Sequence, residues 1–330
     1  MLISLLGKLK FIPCTNKPLE AIIVSMDFNQ QSVLFENFLV EKTNSYFPLP
    51  SLINEAVHYS LLSEGKRIRP LLCLGFAQAF SGDQDQALRF AVAIEMVHSY
   101  SLIHDDLPAM DNDDLRRGRP TNHKVFGQAH AILSGDSLLN MAPEFLLKEL
   151  RLLQVDPNKI IDIVALLMEA SGHEGMIKGQ SLDMEYQAKD LSRFDNESLK
   201  SILSNIHKLK TGALITWSCI AGLHSHDDTQ FVQKYKCQVK SIGQRIGLLF
   251  QIIDDILDVT SNMQDLGKTP GKDQQNSKLT YTHLYGVQGA TAIAKELIKE
   301  IYQDIEGFKI NGDWQIIRQI IDSLEEKLPQ

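Results

Sequence analysis

Paired cysteines and long apolar runs are both missing from this sequence. Its 330 residues contain four cysteines, and no two of them form a CxxC pair. This scarcity argues against a structural zinc site and against a disulfide framework, and it favours a reducing compartment. No stretch approaches the roughly 18 to 20 uninterrupted apolar residues that a membrane-spanning helix needs. The sequence therefore predicts a soluble protein without a membrane span.

Positive charge is also in the minority. Lys and Arg total 33 against 41 Asp and Glu, which gives a formal net charge of -8. A broadly anionic protein is a poor candidate for clamping a nucleic-acid backbone, so any basic site has to be local. Glycine (20) and proline (11) are few and 44% of the residues are hydrophobic, which excludes collagen-like, low-complexity and wholly disordered chains. We expect a globular protein with no nucleic-acid partner.

The first 25 residues differ from the rest of the chain. Three lysines precede the first acidic residue, Glu20, whereas no arginine occurs before Arg67. No charge precedes the first apolar residues and no small-residue cleavage site follows them, which argues against a secretory signal. We interpret residues 1–25 as an upstream extension that is dispensable or disordered, with Met26 as the working start; a transit peptide is the alternative. The first interpretation predicts a cytoplasmic protein, and the second an organellar one.

From Met26 onward the hydrophobic pattern is helical. Apolar residues recur at spacings of three and four, and strict two-residue alternation is scarce. Turn formers divide the periodic stretches, while no Ser- or Pro-rich spacer and no repeat of fixed period occurs. The pattern predicts an all-α domain over residues 26–330, a single large bundle of about ten or more helices around a central cavity. The predicted helices are 28–45, 51–62, 67–80, 84–104, 125–150, 157–170, 197–222, 229–260, 288–305 and 313–327.

The strongest local signal is an acidic cluster at the end of an apolar helix. Carboxylates that lie this close together repel one another, so they either raise a pKa or hold cations. The blander alternative is a solvated helix end that Arg116 and Arg117 neutralise. The cluster follows the mostly apolar segment 92–103 and consists of Asp105, Asp106, Asp111, Asp113 and Asp114.

A second acidic cluster lies inside an apolar stretch. Asp254, Asp255 and Asp258 are embedded among the apolar residues of 248–257. Asp254 and Asp258 are four residues apart, so on a helix they share one face at about 5 to 6 Å and can reach one metal shell; Gln251 joins that face. Two such clusters are harder to explain as solvated helix ends than either one alone. Oxygen-only ligands favour Mg²⁺ or Mn²⁺ over zinc.

Two familiar ligand-binding loops are excluded by spacing. The segment 111–114 lacks the glycine that a calcium loop of the EF-hand type has at its sixth position. Residues 267–273, GKTPGKD, have too few residues between the glycines for a nucleotide phosphate loop, and Asp273 follows the lysine. Neither a calcium loop nor a nucleotide loop is therefore predicted.

The basic residues suggest that the chain binds diphosphates without a nucleotide. Guanidinium groups bind phosphate oxygens in a bidentate manner, and ammonium groups act as point charges. Any single member could equally be a solvated surface charge, and we interpret Arg67 and Lys272 in this way. The candidates are Lys66, Arg67, Arg69, Arg116, Arg117, Lys210, Lys268 and Lys272.

Together these motifs resemble those of the trans-isoprenyl diphosphate synthases, and most closely the bacterial-type farnesyl diphosphate synthases. The resemblance covers the chain from near residue 30 onward. The C-terminus, EKLPQ, departs from the strongly basic tail of the family, which puts a C-terminal contact with substrate in doubt. The motifs, in the family's order, are GKRIRP at 65–70, DDLPAMD at 105–111, RRG at 116–118, GQSLD at 179–183, KT at 210–211, DDILD at 254–258 and GKTPGKD at 267–273.

The resemblance implies a prenyl-transfer reaction. Isopentenyl diphosphate would be joined head to tail to dimethylallyl diphosphate and then to geranyl diphosphate. Metal ions and cationic side chains would stabilise the allylic diphosphate as it leaves, and the alkene of isopentenyl diphosphate would attack the resulting allylic cation. The released diphosphate would then take up the proton that completes the 1'-4 condensation.

The resemblance also implies which residues act in this reaction. Asp105, Asp111, Lys210 and Asp254 would be catalytic. The metal set for Mg²⁺, for which Mn²⁺ could substitute, would be Asp105, Asp106, Asp111, Asp254, Asp255 and Asp258, with Asp255 and Asp258 acting through water. Isopentenyl diphosphate would contact Lys66, Arg69, His98 and Arg117, whereas the allylic diphosphate would contact Arg116, Lys210, Thr211, Gln251 and Lys268. Gln180 and Asp183 complete the set as members of the GQSLD motif.

The residues just before the first acidic cluster bear on product length. In the family, residues at the positions of Tyr100 and Ser101 form the floor of the product cavity. Tyr100 is bulky and is expected to stop the growing tail at C15, so a homodimeric farnesyl diphosphate synthase is the preferred function. The alternatives are a geranylgeranyl diphosphate synthase, a terpene cyclase and a non-catalytic subunit of a hetero-oligomeric synthase. A cyclase has no need of Lys66, Arg69 and Arg117, and an intact second acidic cluster argues against a subunit without turnover.

Overall fold

The structure, a computed structural model, describes residues 26–187, 189–260 and 279–329. Within these ranges the chain is predominantly helical, which confirms the predicted all-α class. The first helices are α1 (Phe28–Tyr46), α2 (Leu52–Leu61), α3 (Ile68–Ala79) and α4 (Gln84–Asp105). An antiparallel hairpin of β1 (Leu115–Arg116) and β2 (Arg119–Pro120) follows. Next come α5 (Asn122–Phe126), α6 (Gln128–Leu152), α7 (Pro157–Ser171) and α8 (Met176–Gln187).

The second half of the chain continues the bundle. A short 3₁₀ turn (Leu191–Arg193) precedes α9 (Asn196–His207), and a π-helix (Lys208–Gly212) joins α9 to α10 (Ala213–His224). The remaining helices are α11 (Thr229–Thr260), α12 (Tyr281–Glu306) and α13 (Gln315–Glu325). None of the helices in the described ranges has the length and apolar character that crossing a membrane requires.

Local capping fixes where several helices begin. The side chains of Asp27, Asp83 and Asp156 each accept a hydrogen bond from a backbone amide in the first turn of α1, α4 and α7. Such caps satisfy amide groups that have no partner within the helix. The predicted starts of these helices at residues 28, 84 and 157 agree with the structure because the capping residues are visible in the sequence.

Three helix predictions need correction. The predicted helix 125–150 is two helices, α5 and α6, which Gly127 separates with a φ of 81°. The predicted helix 197–222 contains the π-helix, for which the apolar pattern gives no signal. Helix α8 escapes prediction because glycine and polar residues of the segment 179–183 break its apolar spacing. Helix α12 is kinked at Gly286, which has a φ of 66°. The part after the kink agrees with the predicted start at 288, whereas the turn that begins at Tyr281 was not predicted.

The hydrophobic core consists of two connected clusters. One is built mainly from α3, α10, α11, α12 and α13, and the other mainly from α1, α2, α4, α6 and α7. Helices α3 and α10 contribute to both clusters, and α10 is buried along almost its whole length, as expected of a helix that is apolar on every side. The core thereby fixes α4 and α11, the two helices that carry the acidic clusters.

Candidate active site

A cavity of about 1050 Å³ lies between α4 and α11. Its walls come from the α2–α3 loop, the second half of α4, the segment after α4, α8, the π-helix and α11. A volume of this order is enough for a large organic ligand. Three of the predicted metal-binding carboxylates line the cavity: Asp105, Asp111 and Asp254. The cationic residues that line it are Lys66, Arg67, Arg69, Arg116, Arg117 and Lys210.

The first acidic cluster is folded back on itself. Asp105 is the last residue of α4, and the amide of Asp111 donates a hydrogen bond to the Asp105 carbonyl oxygen at 2.8 Å. Asn112, next in the chain, has a φ of 49°, which continues the tight turn. This turn brings the carboxylates of Asp105 and Asp111 to the same cavity.

Asp105 has an unusual electrostatic environment. Burial raises its pKa to about 6, with Lys210 opposing the shift and Asp111 adding to it. The cluster also lies at the C-terminal end of a helix, where the backbone dipole is electronegative and carboxylates are unfavourable. The pair Asp105 and Asp111 is therefore short of positive charge, a deficit that a divalent cation would relieve.

Asp106 has a different role from its neighbour. It is buried, at 3% exposure, and accepts hydrogen bonds from Arg116 Nε at 2.8 Å to each carboxylate oxygen, with Arg116 Nη2 at 2.6 Å. Burial raises the Asp106 pKa, whereas the hydrogen bonds from Arg116 oppose that rise. The hairpin turn at Arg117 and Gly118, both with positive φ, folds this strand back towards α4. Asp106 thus holds Arg116 at the edge of the cavity.

The second acidic cluster likewise combines an aspartate that lines the cavity with aspartates that are buried in the protein. Asp254 lines the cavity, whereas Asp255 and Asp258 are buried, at 3% and 4% exposure. Asp255 Oδ1 accepts a hydrogen bond from Gln251 Nε2 at 3.0 Å, and its Oδ2 accepts one from the backbone amide of Tyr281 at 2.8 Å. The carboxylate of Asp255 therefore binds parts of the protein scaffold.

The π-helix carries Lys210 and Thr211 into the cavity wall. Lys210 Nζ donates to Asp183 Oδ2 at 2.6 Å, and Thr211 Oγ1 donates to Gln251 Oε1 at 2.9 Å. Helix α8 approaches so closely that a Cβ at Gly179 would lie 2.2 Å from Lys210 N. The glycine of the GQSLD motif thus permits the contact by which its aspartate orients the lysine. Gln180 also lines the cavity, and its buried amide makes no hydrogen bond within the described residues.

Lys66, Arg69, His98 and Arg117 form a second group on the cavity wall. Arg69 Nη1 lies 3.4 Å from His98 Nε2. Because arginine can only donate, His98 Nε2 is the acceptor and the ring is neutral. Burial, followed by the positive charge of Arg69, indeed lowers the pKa of His98 well below its usual value. Arg117 Nη1 donates to the Glu64 carbonyl oxygen at 2.6 Å and ties the hairpin to the α2–α3 loop.

Arg67 is not the solvated charge that its sequence position suggests. It is 4% exposed and has a φ of 47°. Its guanidinium donates to Glu36 Oε1 at 2.7 Å, to Glu95, and to the carbonyl oxygen of Ser63 at 2.8 Å. Burial alone would lower the Arg67 pKa, but Glu95 and Glu36 raise it. Arg67 is an internal anchor that joins the loop carrying Lys66 to α1 and α4.

The C-terminal segment approaches this site. Lys327 follows α13, and its pKa is lowered by burial and by the nearby charge of Lys66, while Asp254 opposes the shift. Lys327 therefore lies within electrostatic range of both a basic and an acidic residue of the cavity. The sequence of the tail does not indicate this proximity, because the position of Lys327 depends on the packing of α13 against α3.

Tyr100 and Ser101 both line the cavity on α4. Tyr100 is 5% exposed, and its ring makes an edge-to-face contact with His104 at 5.7 Å between centroids. His104 Nε2 in turn donates to the carbonyl oxygen of Ile132 in α6 at 3.0 Å. The Tyr100 ring is therefore supported by α6 and forms a fixed part of the cavity wall.

Two of the predicted basic residues cannot be placed in this site. Lys268 and Lys272 lie in the segment 261–278, outside the described residues.

Comparison with known proteins agrees with this fold. Residues 50–319 match the model of the polyprenyl synthetase family, to which the chain belongs. This result confirms the resemblance to the trans-isoprenyl diphosphate synthases. The activity of the chain is accordingly that of a trans-prenyl diphosphate synthase, a prenyltransferase of isoprenoid biosynthesis.

Relatives within this family differ in product. The chain is 41% identical over 290 residues to large subunit 1 of a chloroplastic heterodimeric geranylgeranyl pyrophosphate synthase of Arabidopsis thaliana, covering 86% of this chain and 75% of that protein. It is 42% identical over 265 residues to the farnesyl diphosphate synthase of Micrococcus luteus, covering 80% and 86%. The crystal structure of a Helicobacter pylori geranyltransferase complexed with magnesium and isoprenyl diphosphate superposes with a TM-score of 0.72 at 30% identity, covering 92% and 99%.

Proposed function

We propose that the chain is a farnesyl diphosphate synthase that joins isopentenyl diphosphate first to dimethylallyl diphosphate and then to geranyl diphosphate. The observation that carries the proposal is one cavity in which carboxylates of α4 and α11 meet five cationic side chains besides the internally anchored Arg67, with Tyr100 in its wall. The carboxylates can bind metal ions, and the cations can bind two diphosphate groups. The tyrosine can limit the length of the growing isoprenoid tail.

Asp105, Asp111 and Asp254 fit a hard divalent cation. Their donor atoms are all oxygen, which suits Mg²⁺, and Mn²⁺ is expected to substitute. Within the described ranges no three potential ligands converge on one point, so an ion held by one or two carboxylates would complete its shell with diphosphate oxygens and water, as Mg²⁺ commonly does. The related Helicobacter structure was obtained with magnesium and isoprenyl diphosphate. Bound Mg²⁺ supplies Lewis-acid stabilisation of the leaving diphosphate.

Arg116 and Lys210 are the cations proposed to hold the allylic diphosphate, together with Thr211, Gln251 and Lys268. Asp106 orients Arg116, and Asp183 takes one of the three N–H donors of Lys210, which leaves the other two for phosphate oxygens. These charges are fixed before the substrate arrives. They therefore stabilise negative charge as it develops on the leaving group without reorganising.

Lys66, Arg69, His98 and Arg117 are proposed to hold isopentenyl diphosphate. This diphosphate stays intact in the reaction, so it needs positioning but no metal-assisted ionisation. The group supports that role because it combines three cations with a neutral imidazole whose pKa is low. Its function is to orient the alkene towards the allylic carbon, which makes the reaction effectively intramolecular.

Tyr100 is proposed to stop elongation at C15. An extended isoprene unit is about as long as one helical turn, roughly 5.4 Å, so a rigid side chain about one turn before Asp105 can block the next addition. The competing proposal is a geranylgeranyl diphosphate synthase, favoured by the identity of 41% to the Arabidopsis protein. Both proposals share the same metal and diphosphate residues and differ only in the floor of the cavity.

Product chromatography separates the two functions. Purified protein is incubated with Mg²⁺, isopentenyl diphosphate and each allylic starter, and the products are dephosphorylated and resolved. We expect farnesyl as the main product of the unmodified protein and geranylgeranyl or longer chains from Tyr100→Ala. Ser101→Ala is the matched control and should alter the profile less. A main C20 product from the unmodified protein, or an unchanged C15 profile in Tyr100→Ala, would contradict the proposal.

A homodimer is proposed as the working assembly. Helices α5 and α6 expose apolar side chains, among them Val125 (47% exposed), Ile132 (44%), Leu133 (52%) and Leu147 (43%). An exposed apolar surface on these helices suits a protein–protein contact. Sedimentation equilibrium tests this assembly, and a Leu133→Glu variant should shift the mass towards the monomer.

A further inference from the structure

One buried carboxylate lies among the cations that are proposed to hold isopentenyl diphosphate. Glu95 is on α4, is 2% exposed and lines the cavity. Its Oε1 accepts a hydrogen bond from Arg67 Nη1, whereas its Oε2 has no hydrogen-bond partner among the described residues. His98 lies one turn further along the same helix. A negative charge beside a site for an anion opposes binding by itself, so the role of Glu95 lies in what it does to the cations.

Glu95 acts first on the loop between α2 and α3. Arg67 donates to the carbonyl oxygen of Ser63 at 2.8 Å, just after the end of α2. The φ of Arg67 is 47°, which is uncommon for a non-glycine residue. The hydrogen bonds to Glu95 and Glu36 hold the guanidinium of Arg67 in this position. Glu95 therefore helps to fix the loop that carries Lys66.

The same loop supports Arg117 of the hairpin. Arg117 Nη1 donates to Ser63 Oγ at 3.2 Å. A Cβ at Gly65 would lie 2.6 Å from this nitrogen, so the guanidinium packs directly on the backbone of the loop. Contacts thus run without interruption from Glu95 through Arg67 and the loop to Arg117.

Glu95 acts also through its charge. Arg69 and Arg117 both line the cavity, and each lies within electrostatic range of Glu95. Burial lowers the pKa of Arg69 to about 10; Glu95 opposes that shift, whereas Arg117 adds to it. Arg69 Nε has no hydrogen-bond partner among the described residues. Buried guanidinium groups that repel each other need a negative charge nearby, and Glu95 supplies one.

We propose that Glu95 is a positioning residue for isopentenyl diphosphate. Through Arg67 it holds the loop that carries Lys66 and supports Arg117. Through its charge it keeps Arg69 and Arg117 together in the cavity wall. The cations are thereby in place before the substrate arrives, which lowers the cost of ordering them on binding. The inference rests on the proposed function, which assigns these cations to isopentenyl diphosphate.

The direction of the change in affinity tests the proposal. Glu95→Gln removes a negative charge from an anion site, so electrostatic attraction alone predicts a lower KM for isopentenyl diphosphate. Positioning predicts the opposite, because Arg67 loses a charged partner and the remaining cations repel one another. We expect this KM to rise about tenfold or more, with kcat and the KM for geranyl diphosphate each changed by less than about threefold. An unchanged or lower KM for isopentenyl diphosphate would overturn the proposal.

Glu36→Gln is the matched control. Glu36 Oε1 accepts from Arg67 Nε at 2.7 Å, but Glu36 is not among the described residues that line the cavity. Each variant removes one carboxylate partner of Arg67, and only Glu95→Gln also removes the charge beside Arg69 and Arg117. We therefore expect Glu36→Gln to raise the KM for isopentenyl diphosphate by less than about threefold. Equal effects of the two variants on this KM would contradict the action of Glu95 through its charge.

Binding without turnover gives an independent readout. Titration calorimetry of isopentenyl diphosphate in EDTA, with no allylic partner present, measures the dissociation constant in the absence of reaction. This constant should rise with the KM in Glu95→Gln. Glu95→Asp keeps the charge but shortens the side chain that binds Arg67, and it decides the question where Glu95→Gln folds poorly. We expect a rise of about threefold or more in Glu95→Asp, and an unchanged constant would refute the proposal.

Failure of the proposed function gives a different pattern. An unmodified protein that forms no prenyl diphosphate and binds no isopentenyl diphosphate contradicts the proposed function, and stability then decides the link from Glu95 to Arg117. In a double-mutant cycle of Glu95→Gln and Arg117→Gln, urea unfolding should show coupling between the two sites, because both bind the loop held by Arg67. Additive effects on the free energy of unfolding would show that the link does not exist.

Discussion

The two acidic clusters begin with the same pair of residue types, and in each the second aspartate is buried and hydrogen-bonded to other parts of the protein. In the first cluster, Asp106 is buried against a full positive charge, the guanidinium of Arg116. In the second, Asp255 is buried and accepts hydrogen bonds from the Gln251 side-chain amide and the Tyr281 backbone amide. In both, the first aspartate of the pair lines the cavity. An Asp-Asp pair in this protein therefore presents one carboxylate to the cavity and commits the other to the scaffold.

Helix geometry explains why the two members of each pair divide in this way. Successive residues on a helix are rotated by about 100°, so adjacent carboxylates cannot point to the same place. One of them has to enter the protein, and a buried carboxylate is tolerated only with donors around it. Both pairs lie within the last turns of their helices, where few backbone amides are free to help. Arg116 and the Tyr281 amide consequently come from other elements, whereas Gln251 lies one turn earlier on α11.

The largest loss of kcat should follow from removing a carboxylate that faces the cavity. Asp105→Ala and Asp254→Ala are each expected to reduce kcat about 10³-fold or more, because the stabilisation of the leaving diphosphate by metal is worth several kcal/mol. Asp105→Ala should leave the fold intact, since the carboxylate it removes is already repelled by Asp111. Steady-state rates and circular dichroism on the same preparation check both statements. Full activity in either variant contradicts the assignment.

Removing the scaffold carboxylate of the first pair should instead cost stability. Asp106→Asn leaves Arg116 without its buried partner, and we expect a loss of about 1 to 3 kcal/mol in the free energy of unfolding, below the value for a fully buried pair because Arg116 is partly exposed. Urea denaturation of Asp106→Asn beside Asp105→Asn measures the contrast. Equal stability of these two variants would remove the distinction between the members of the pair.

Substitutions in the two proposed diphosphate-binding groups of residues should raise the KM of different substrates. Lys66→Gln and Arg117→Gln are expected to raise the KM for isopentenyl diphosphate about ten- to a hundredfold, as for the loss of one charge-assisted hydrogen bond of about 1.5 to 3 kcal/mol. Arg116→Gln is expected to raise the KM for geranyl diphosphate. Initial rates at varied concentrations of each substrate give both constants. If each variant changes both constants equally, the division into two groups is wrong.

The smallest change in activity and Tm is expected from removing the N-terminal extension. A protein that begins at Met26 should match the full chain in activity and in Tm, because the acid-poor residues 1–25 precede the first segment that resembles the family. Both proteins are assayed side by side. Loss of solubility or activity in the shortened chain would show that the extension packs on the domain.

The fold was largely predictable because its signals are local. Capping aspartates mark the starts of α1, α4 and α7, and the apolar period marks the length of α11, whose predicted bounds of 229–260 agree with the structure. The π-helix was not predictable, since Lys208–Gly212 continues the helical pattern on both sides. Its unusual geometry depends on close packing with α8 and α11, and no local residue type encodes that packing.

The role of each residue within the site was less predictable, because the residues that bind one another are distant in sequence. Arg67 looks like a surface charge until folding brings Glu36 and Glu95, 31 and 28 residues away, to its guanidinium. One donor to Asp255 is the backbone amide of a residue 26 positions later. The motifs identify which side chains assemble, whereas the direction each one faces depends on tertiary contacts.

Anomalous diffraction from crystals grown with Mn²⁺ and inorganic pyrophosphate tests the central claim most directly. It locates the metal ions relative to both aspartate pairs without any assumption about rate. We predict anomalous peaks within about 2.5 Å of carboxylate oxygens of Asp105, Asp111 and Asp254, with Asp106 still bound to Arg116 and Asp255 still bound to Gln251. A peak at that distance from Asp106 or Asp255 would contradict the account, because the second aspartate of a pair would then be a metal ligand.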